Sequence, residues 1–395
     1  MLRRIIYWLV NQIRIAKPLH PDHLGVCFTI VALGWVFFVI SEKIGIFDPL
    51  TIALEDFYTT DVYYEMQHSA EPDLNDDIVI VDMTELTSRD EIAQVITDIK
   101  QCKPALMCVD LIFERPSHEP MDDASLVMAL EEKGCKQLLS CKLRDYDNDK
   151  EAFTNCLYSF TRNISDTNTC WGYTNYYQIR MGGCTRETSL SQQLNDSTVY
   201  SLPYMAACLY QGKNWQKEKM NELQIMYEDV DFLTINSRDV KCEAQKLQGK
   251  LVILGAMNEE ADMHFTPLGK MAGAKVLAYS IHTYLKGERV RNAGILLSLL
   301  FAFFAWGFAA CMGYWIEQHL SIVFGTVAKV FNFLLGAFLI WITFEVYTHC
   351  YVNIDLLYVL LGLAMVEDLR ELYATIIKWV AKKTQWKFLK KSLYY

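Results

Sequence analysis

Two runs of residues without a formal charge constrain this chain more than any other feature of its sequence. Residues 24–41 form a run of 18, and residues 292–316 form a run of 25. A helix rises about 1.5 Å per residue, so either run can cross a hydrocarbon core about 30 Å thick. The sequence therefore predicts a membrane protein, and its 52% apolar content excludes a disordered chain.

Two weaker apolar stretches follow the second run. We predict four membrane helices in all, over residues 24–41, 293–316, 321–345 and 350–366. Lys329 lies inside the third, where a charge is costly. We expect its side chain to extend to the cytoplasmic face, and a functional role inside the bundle is the alternative. The fourth stretch is the weakest, because Asp355 and Glu367 leave only a short uncharged run between them.

The distribution of charge predicts the orientation of these helices. Residues 1–23 carry +3 and residues 367–395 carry +4, whereas residues 42–292 hold 25 basic and 40 acidic groups, hence −15. Cytoplasmic segments next to membrane helices are enriched in lysine and arginine. Both termini are therefore predicted to be cytoplasmic, which agrees with an even number of spans. The acidic segment is predicted to lie outside the cytoplasm, where its charge argues against binding nucleic acid.

The acidic segment has the pattern of alternating strands and helices. Continuous apolar runs predict buried strands over residues 78–83, 105–110, 136–141 and 250–255. Ser88 and Glu91 fit a capping box that begins an amphipathic helix, and further helices are predicted over residues 122–133 and 274–286. Strands and helices that alternate at this spacing indicate a βαβ-type sheet with parallel strands.

Residues 142–225 differ from the rest of this segment. They are rich in Asn, Thr, Tyr and Cys and have no sustained period, which predicts an irregular or antiparallel central insertion. The predicted fold class is therefore an α/β extracytoplasmic domain with an irregular central insertion, plus an all-α membrane bundle of about four helices.

Several of these segments, taken in order, resemble the CHASE2 domain, an extracytoplasmic sensory module of bacterial receptors. The resemblance covers roughly residues 50–290 and rests on residues 78–83, 105–113, 122–123, 250–256, 262–267 and 272–275, which lead into the helix of His282. It implies one membrane helix before the domain and three after it. It also implies a multi-pass protein of the inner (plasma) membrane with its main domain in the periplasm, and it makes a homodimer possible.

The chain departs from the family pattern in two places. Residues 87–90 stand where the family commonly has a Trp-Pro-Arg-type segment. About 29 residues follow the fourth predicted span, too few for the kinase, cyclase or transcription domain that the resemblance implies. We therefore expect a separately encoded cytoplasmic effector to read the signal.

Four polar residues fall where α/β folds bind ligands, at or just beyond the carboxyl ends of strands. They are Asp82, Asp110, Asp262 and His264. Carboxylates and an imidazole that converge there could hold a divalent cation or accept hydrogen bonds from a polar ligand. In the alternative interpretation, each of them caps a helix or holds a loop. No cofactor is predicted, and no glycine-rich phosphate loop, HExxH motif or GxSxG elbow indicates an enzyme.

Nine cysteines lie in the acidic segment, and an oxidising compartment permits disulfides. Cys156, Cys170 and Cys184 of the irregular insertion are the predicted disulfide participants, with a connectivity that the sequence leaves open. Cys108 lies within a predicted strand and is expected to be a free thiol in the core.

Both cytoplasmic ends are predicted to be amphipathic. In the tail, residues 367–395, the predicted membrane or partner docking residues are Leu369, Leu372, Ile376, Trp379, Lys382 and Lys383. An apolar stripe beside lysine and tryptophan binds anionic lipid headgroups. Docking of a partner and self-association are the alternatives. Residues 2–16 of the segment 1–23 have the same interpretation.

Three functions remain open from the sequence. In the first, the protein senses an extracytoplasmic ligand or partner and relays the change through its helices to a cytoplasmic effector. In the second, it is a structural or assembly subunit of an envelope complex and has no small ligand. In the third, it is an envelope enzyme that uses Asp82, Asp110 and Asp262 around a metal ion; we expect it not to be an enzyme.

Overall fold

The computed structural model describes residues 16–18, 20–43, 58–68, 71–163, 168–176, 183–215, 222–287, 290–319, 324–384, 386 and 389–393. The chain divides into two compact units. The α/β unit comprises Asp61–Val290, and the helical unit combines Met1–Thr60 with Arg291–Tyr395. The amphipathic stretch predicted over residues 2–16 lies outside the described residues except for its last position.

Helices occur in both units. Among the described residues the α-helices are α1 (Pro21–Lys43), α2 (Thr59–Gln67), α3 (Arg89–Gln101), α4 (Pro120–Glu131), α5 (Leu202–Tyr210), α6 (Ala244–Leu247), α7 (Gly273–Lys286), α8 (Ile295–His319), α9 (Phe324–Cys350) and α10 (Leu357–Thr384). The strands are β1 (Asp73–Asp82), β2 (Leu106–Val109), β3 (Lys136–Asp147), β4 (Ala152–Leu157), β5 (Thr169–Tyr173), β6 (Glu187–Ser189), β7 (Ser191–Leu194), β8 (Ser197–Tyr200), β9 (Glu222–Gln224), β10 (Val230–Asn236), β11 (Leu251–Gly255), β12 (Met263–Thr266), β13 (Gly269–Ala272), β14 (Arg291–Asn292) and β15 (Val352–Asn353).

A nine-stranded sheet forms the centre of the α/β unit. Its order is β10-β1-β11-β2-β3-β4-β7-β8, and β5 also pairs with β3. The pairs from β10 to β3, and the β3–β5 pair, are all parallel. Residues 78–81, 106–109 and 251–255 are buried throughout, because helices cover both faces of a parallel sheet. The predicted α/β domain with a central parallel sheet is therefore confirmed.

The capping box at the start of α3 is present as predicted. The Ser88 hydroxyl accepts from the Glu91 N–H at 3.1 Å, and the Glu91 carboxylate accepts from the Ser88 N–H at 3.2 Å. Ile96 and Ile99 of this helix are fully buried and belong to the same core cluster as Leu126 of α4. The cap and the apolar face together fix where this helix begins and how it lies on the sheet.

The central insertion contains antiparallel strand pairs, one of the two forms that its sequence predicts. The main sheet extends into it through β4, β7 and β8, in which β3–β4 and β7–β8 are antiparallel. β6 and β9 form a separate antiparallel pair. These strands are short and half-exposed, so their sequences lack the continuous apolar runs that mark the buried strands.

Among the described residues of the helical unit, two helices are long and apolar enough to cross a membrane. They are Ile295–His319 and Gly325–Cys350, while the apolar part of α1 is shorter, at Pro21–Phe37. The structure therefore supports two of the four predicted spans. The boundaries of the fourth are wrong, since residue 350 ends α9 and α10 begins only at Leu357.

Two charged residues are buried in the middle of α10. Glu367 and Arg370 are 4% and 2% exposed, yet the helix runs through them without a break. The Arg370 guanidinium donates to the Glu367 carboxylate at 3.0 Å and to the Glu317 carboxylate of α8 at 2.6 Å. Charges paired in this way can lie inside a packed bundle, and the helix continues through them into the amphipathic stripe of the tail.

A buried lysine joins α3 to α4 and gives a first prediction. The Lys100 ammonium donates to the carbonyl groups of Ala129, Leu130 and Glu132 at 2.8, 2.9 and 2.7 Å, where α4 ends. Replacing Lys100 with Met leaves these carbonyls without that donor, and we expect a loss on the order of 2 kcal/mol of unfolding free energy. For a unit of this size this is about 4–8 °C in the melting temperature of the full-length protein in detergent.

The matched control is Lys133→Met, which changes an exposed lysine near the same helix end. It should leave the melting temperature within about 1 °C, as surface substitutions usually do. Equal effects of the two substitutions would show that the three hydrogen bonds of Lys100 contribute nothing specific.

Candidate functional site

The order of the parallel strands brings three chain segments to one edge of the sheet. β1, β11 and β2 are neighbours, and Asp82 at the end of β1 pairs in register with Gly255 at the end of β11. Asp110 follows β2 directly, and its N–H donates to the Leu254 carbonyl of β11 at 2.8 Å. The carboxyl ends of these strands therefore place Asp82 and Asp110 on either side of β11.

Asp82 holds a loop. Its Oδ1 atom accepts from the Thr84 N–H at 2.9 Å, from the Thr84 hydroxyl at 2.5 Å and from the Met257 N–H at 3.2 Å. The Thr84 hydroxyl in turn accepts from the N–H groups of Met257 and Asn258. These bonds correspond to the structural alternative considered for Asp82, because they fix the turn that follows β11.

Asp110, Asp262 and His264 form an acid cluster on the other side of β11. The Asp262 carboxylate lies directly over Gly273, the first residue of α7, and 3.9 Å from Nε2 of His264. The His264 ring contacts the ring of Tyr176 edge-on, with centroids 5.6 Å apart. Nδ1 of His264 lies 3.5 Å from the hydroxyl of Thr185. Of the four predicted site residues, the structure thus groups three and sets Asp82 apart.

Burial dominates the electrostatics of the acid cluster. Burial and the nearby Asp262 carboxylate raise the pKa of Asp110 from 3.8 to about 7, and the charge of Lys142 opposes this in part. Burial also raises the pKa of Asp262, against the opposing charges of His264 and Lys142. Burial lowers the pKa of the His264 imidazole. Burial therefore shifts the pKa of each of these three groups in the direction that favours its uncharged form.

Two glycines make room for the cluster. A Cβ atom at Gly273 would lie within 2.9 Å of both carboxylate oxygens of Asp262. A Cβ atom at Gly255 would lie 2.7 Å from Cβ of Ala274, in the first turn of α7. Without side chains at these positions, α7 can approach the end of β11 and the Asp262 carboxylate can lie against its first turn.

The acid cluster offers hydrogen-bonding groups to a polar ligand. Within the described ranges, no group of three or more His, Cys, Asp and Glu side chains is placed to hold a metal. The cluster instead offers carboxyl oxygens and an imidazole to a molecule that donates hydrogen bonds. The buried Tyr176 hydroxyl lies near Ser280 and makes no hydrogen bond of normal geometry in the described part of the chain.

Lys142, Tyr176 and Thr185 belong to this site and were not predicted. Lys142 follows the predicted strand 136–141, so the strand-end rule that selected Asp110 would also have selected it. Tyr176 and Thr185 lie in the insertion, whose sequence has no period that could place them beside His264.

Cys156 and Cys170, two of the three predicted disulfide residues, lie apart. Cys170 of β5 is in register with Leu138 of β3, and Cys156 of β4 with Leu143. Five residues along a strand span about 16 Å, well beyond the Cα separation of a disulfide. Cys184 pairs with Phe265 in an isolated bridge. Cys108 is a buried free cysteine, as expected.

The predicted docking stripe of the tail lies on α10. Leu369 is 6% exposed and packs inside the helical unit, so it is not available to a partner there. Leu372, Ile376 and Trp379 are 41%, 44% and 62% exposed. Lys382 and Lys383 are also exposed, and the Lys383 ammonium lies 5.0 Å from the centre of the Trp379 ring. Lys329 of α9 pairs with Asp368 at 3.0 Å.

Comparison with protein families assigns most of the chain. A model of the CHASE2 domain matches residues 31–313. The matched region contains the whole α/β unit and most of α1 and α8. Comparison with curated proteins and with solved structures gave no match.

Asp110 predicts a pH dependence of stability. Its pKa is higher in the folded than in the unfolded chain, so its contribution is full below about pH 4 and is lost as the pH rises to about 7. Stability of the wild type should fall over this window by on the order of 4 kcal/mol, and Asp110→Asn should remove that part of the fall. Melting curves of the full-length protein between about pH 4 and about pH 8 measure it, with Asp149→Asn, an exposed position, as control.

Gly273 predicts a substitution effect of unusual sign. Glycine to alanine within a helix normally stabilises by up to about 1 kcal/mol. Gly273→Ala should instead destabilise, because its methyl group displaces the Asp262 carboxylate. In an Asp262→Ala background the same substitution should be neutral or stabilising, which a double-mutant cycle of melting temperatures measures. Additive effects would show that the two residues do not interact.

Proposed function

The chain belongs to the CHASE2 domain family, and from this membership we propose that it is a membrane-anchored extracytoplasmic sensor. CHASE2 domains are sensory extracellular domains. The domain of this chain would change on binding a ligand or partner and would relay the change through its helices to a cytoplasmic effector.

The position of the acid cluster is the observation that carries this proposal. The Asp262 carboxylate lies against the first residue of α7, and residues 287–294 alone separate the end of α7 from α8, a candidate membrane helix. A ligand that moves this carboxylate acts on the first turn of α7. The change would pass along α7 and, through this short segment, into α8.

The chemistry of the cluster indicates the class of ligand. Asp110, Asp262 and His264 present hydrogen-bond acceptors in a partly buried place, so a small molecule with amine or hydroxyl groups would be favoured. An amine also supplies the positive charge that two buried carboxylates lack. Relay requires that such a ligand binds two states of the domain with different affinities.

We propose that the acidic segment faces the periplasm and that both termini are cytoplasmic. The charge distribution supports this orientation. Cys242, exposed in the α/β unit, should then react with a membrane-impermeant maleimide on intact cells. A cysteine introduced by Lys382→Cys should react only after permeabilisation. The reverse pattern would contradict the orientation, and Cys242→Ser identifies the labelled residue.

The exposed stripe of α10 is proposed to contact anionic lipid headgroups on the cytoplasmic side. Ile376 and Trp379 supply apolar surface, and Lys382 and Lys383 supply positive charge at the helix end. The same stripe would be accessible to a cytoplasmic effector that binds next to the membrane.

A ligand screen tests the sensor function. The melting temperature of the full-length protein in nanodiscs is measured in the presence of each member of a panel of small amines, amino acids and polyols. A ligand at 100 times its Kd stabilises by about 2.7 kcal/mol, or roughly 5–10 °C for a unit of this size. We expect at least one compound to do so with the wild type and with Asp149→Asn, and to lose its effect with Asp262→Asn.

The same protein variants distinguish the sensor function from the assembly function. If no compound shifts the melting temperature, and an envelope protein co-purifies equally with the wild type and with Asp262→Asn, the protein is an assembly subunit and the sensor proposal is wrong.

A further inference from the structure

Two cysteines of the α/β unit share one face of the β3–β4 pair. The antiparallel register sets Cys156 of β4 opposite Leu143 of β3, and Cys141 lies two residues before Leu143. Side chains two residues apart on a strand point to the same face, so Cys141 and Cys156 are diagonal neighbours. They pack in one cluster with Tyr173, and each thiol shifts the pKa of the other.

We propose that Cys141 and Cys156 are a redox-active thiol pair, in which Cys156 attacks an external disulfide and Cys141 resolves the product to an intramolecular disulfide. The pair lies outside the acid cluster, and the proposal does not depend on the sensor function. It also replaces the predicted pairing among Cys156, Cys170 and Cys184 with a different partner for Cys156.

The two cysteines differ in exposure as these roles require. Cys141 is 5% exposed, whereas Cys156 is only partly buried, so an external disulfide meets Cys156 first. A diagonal pair starts slightly too far apart for a disulfide, and the backbone must shift to close it. β4 ends at Leu157, directly after Cys156, so the chain there is less restrained than in the middle of a strand.

The surroundings of Cys156 favour its thiolate, which is the nucleophile in disulfide exchange. The Cys141 thiol lowers the pKa of Cys156 most, and the Tyr158 hydroxyl and the Arg162 guanidinium lower it further. Arg162 is held there because its guanidinium lies 4.1 Å from the centre of the Tyr158 ring. Tyr158 in turn packs edge-on against Trp171, with centroids 5.5 Å apart.

The oxidant is a disulfide, such as oxidised glutathione or the disulfide of an oxidoreductase. The Cys156 thiolate attacks one sulfur and forms a mixed disulfide, and the expelled thiolate takes up the proton that Cys156 released. Cys141 then loses its proton and attacks Cys156 Sγ, which releases the second thiol. The pair loses two electrons and two protons in all, and the oxidant gains them as two thiols.

Mass spectrometry of the full-length protein tests the pair. The protein in detergent is equilibrated with mixtures of reduced and oxidised glutathione, alkylated with N-ethylmaleimide, and digested. The wild type should yield a peptide pair joined through Cys141 and Cys156 that disappears on reduction. Cys141→Ser should instead accumulate a glutathione adduct at Cys156, about tenfold above the wild type, because the resolving thiol is gone.

The control is Cys242→Ser, which removes an exposed cysteine of the same unit and should leave the joined peptides unchanged. Cys156→Ser should leave Cys141 unmodified. A wild type in which Cys156 remains a thiol, keeps a glutathione adduct, or joins another cysteine would overturn the proposal. This readout needs only the wild type, so it holds even if a variant fails to fold.

Discussion

The burial of two carboxyl groups beside the first turn of α7 is the constraint on which the candidate site depends. Removal from water disfavours the charged forms of Asp110 and Asp262, and the bare backbones of Gly255 and Gly273 allow the approach that buries them. A bound cation or hydrogen-bond donor would favour the charged forms again. Protonation and ligand binding therefore compete for the same atoms, and a sensor built on this cluster would respond to its ligand less strongly as the pH falls.

Much of the α/β unit could be predicted from the sequence. Its buried strands require continuous apolar runs, and helix α3 begins with a capping box at Ser88. The strand-end rule predicted Asp110, which directly follows β2. Asp262 instead lies in the segment between β11 and β12. The rule could not predict that Asp82 has a structural role. The hydrogen bonds that Asp82 accepts from Thr84 and Met257 depend on the path of a loop. Tyr176 and Thr185 reach the site through long-range packing of the insertion, for which no local pattern exists.

The helical unit was harder to predict because hydropathy counts charges without regard to their partners. Glu367 and Arg370 were assigned to the cytoplasmic tail, and the structure adds that they pair with each other and with Glu317 of α8, within one helix that continues from Leu357 to Thr384. Leu369, which the apolar stripe had assigned to a docking surface, is buried in the apolar core of this unit. A stripe read from periodicity shows which residues share a face, but not which part of that face a neighbouring helix covers.

Strand β3 connects the two chemical features of the α/β unit. Side chains of successive residues on a strand point to opposite faces of the sheet. Cys141 therefore packs in the thiol pair, whereas the charge of the next residue, Lys142, lowers the pKa values of Asp110 and Asp262. A disulfide between Cys141 and Cys156 draws β3 and β4 together at this point, and any shift of the β3 backbone moves the positive charge that opposes the protonation of Asp110. Oxidation on one face of β3 would therefore also shift Lys142 on the other face.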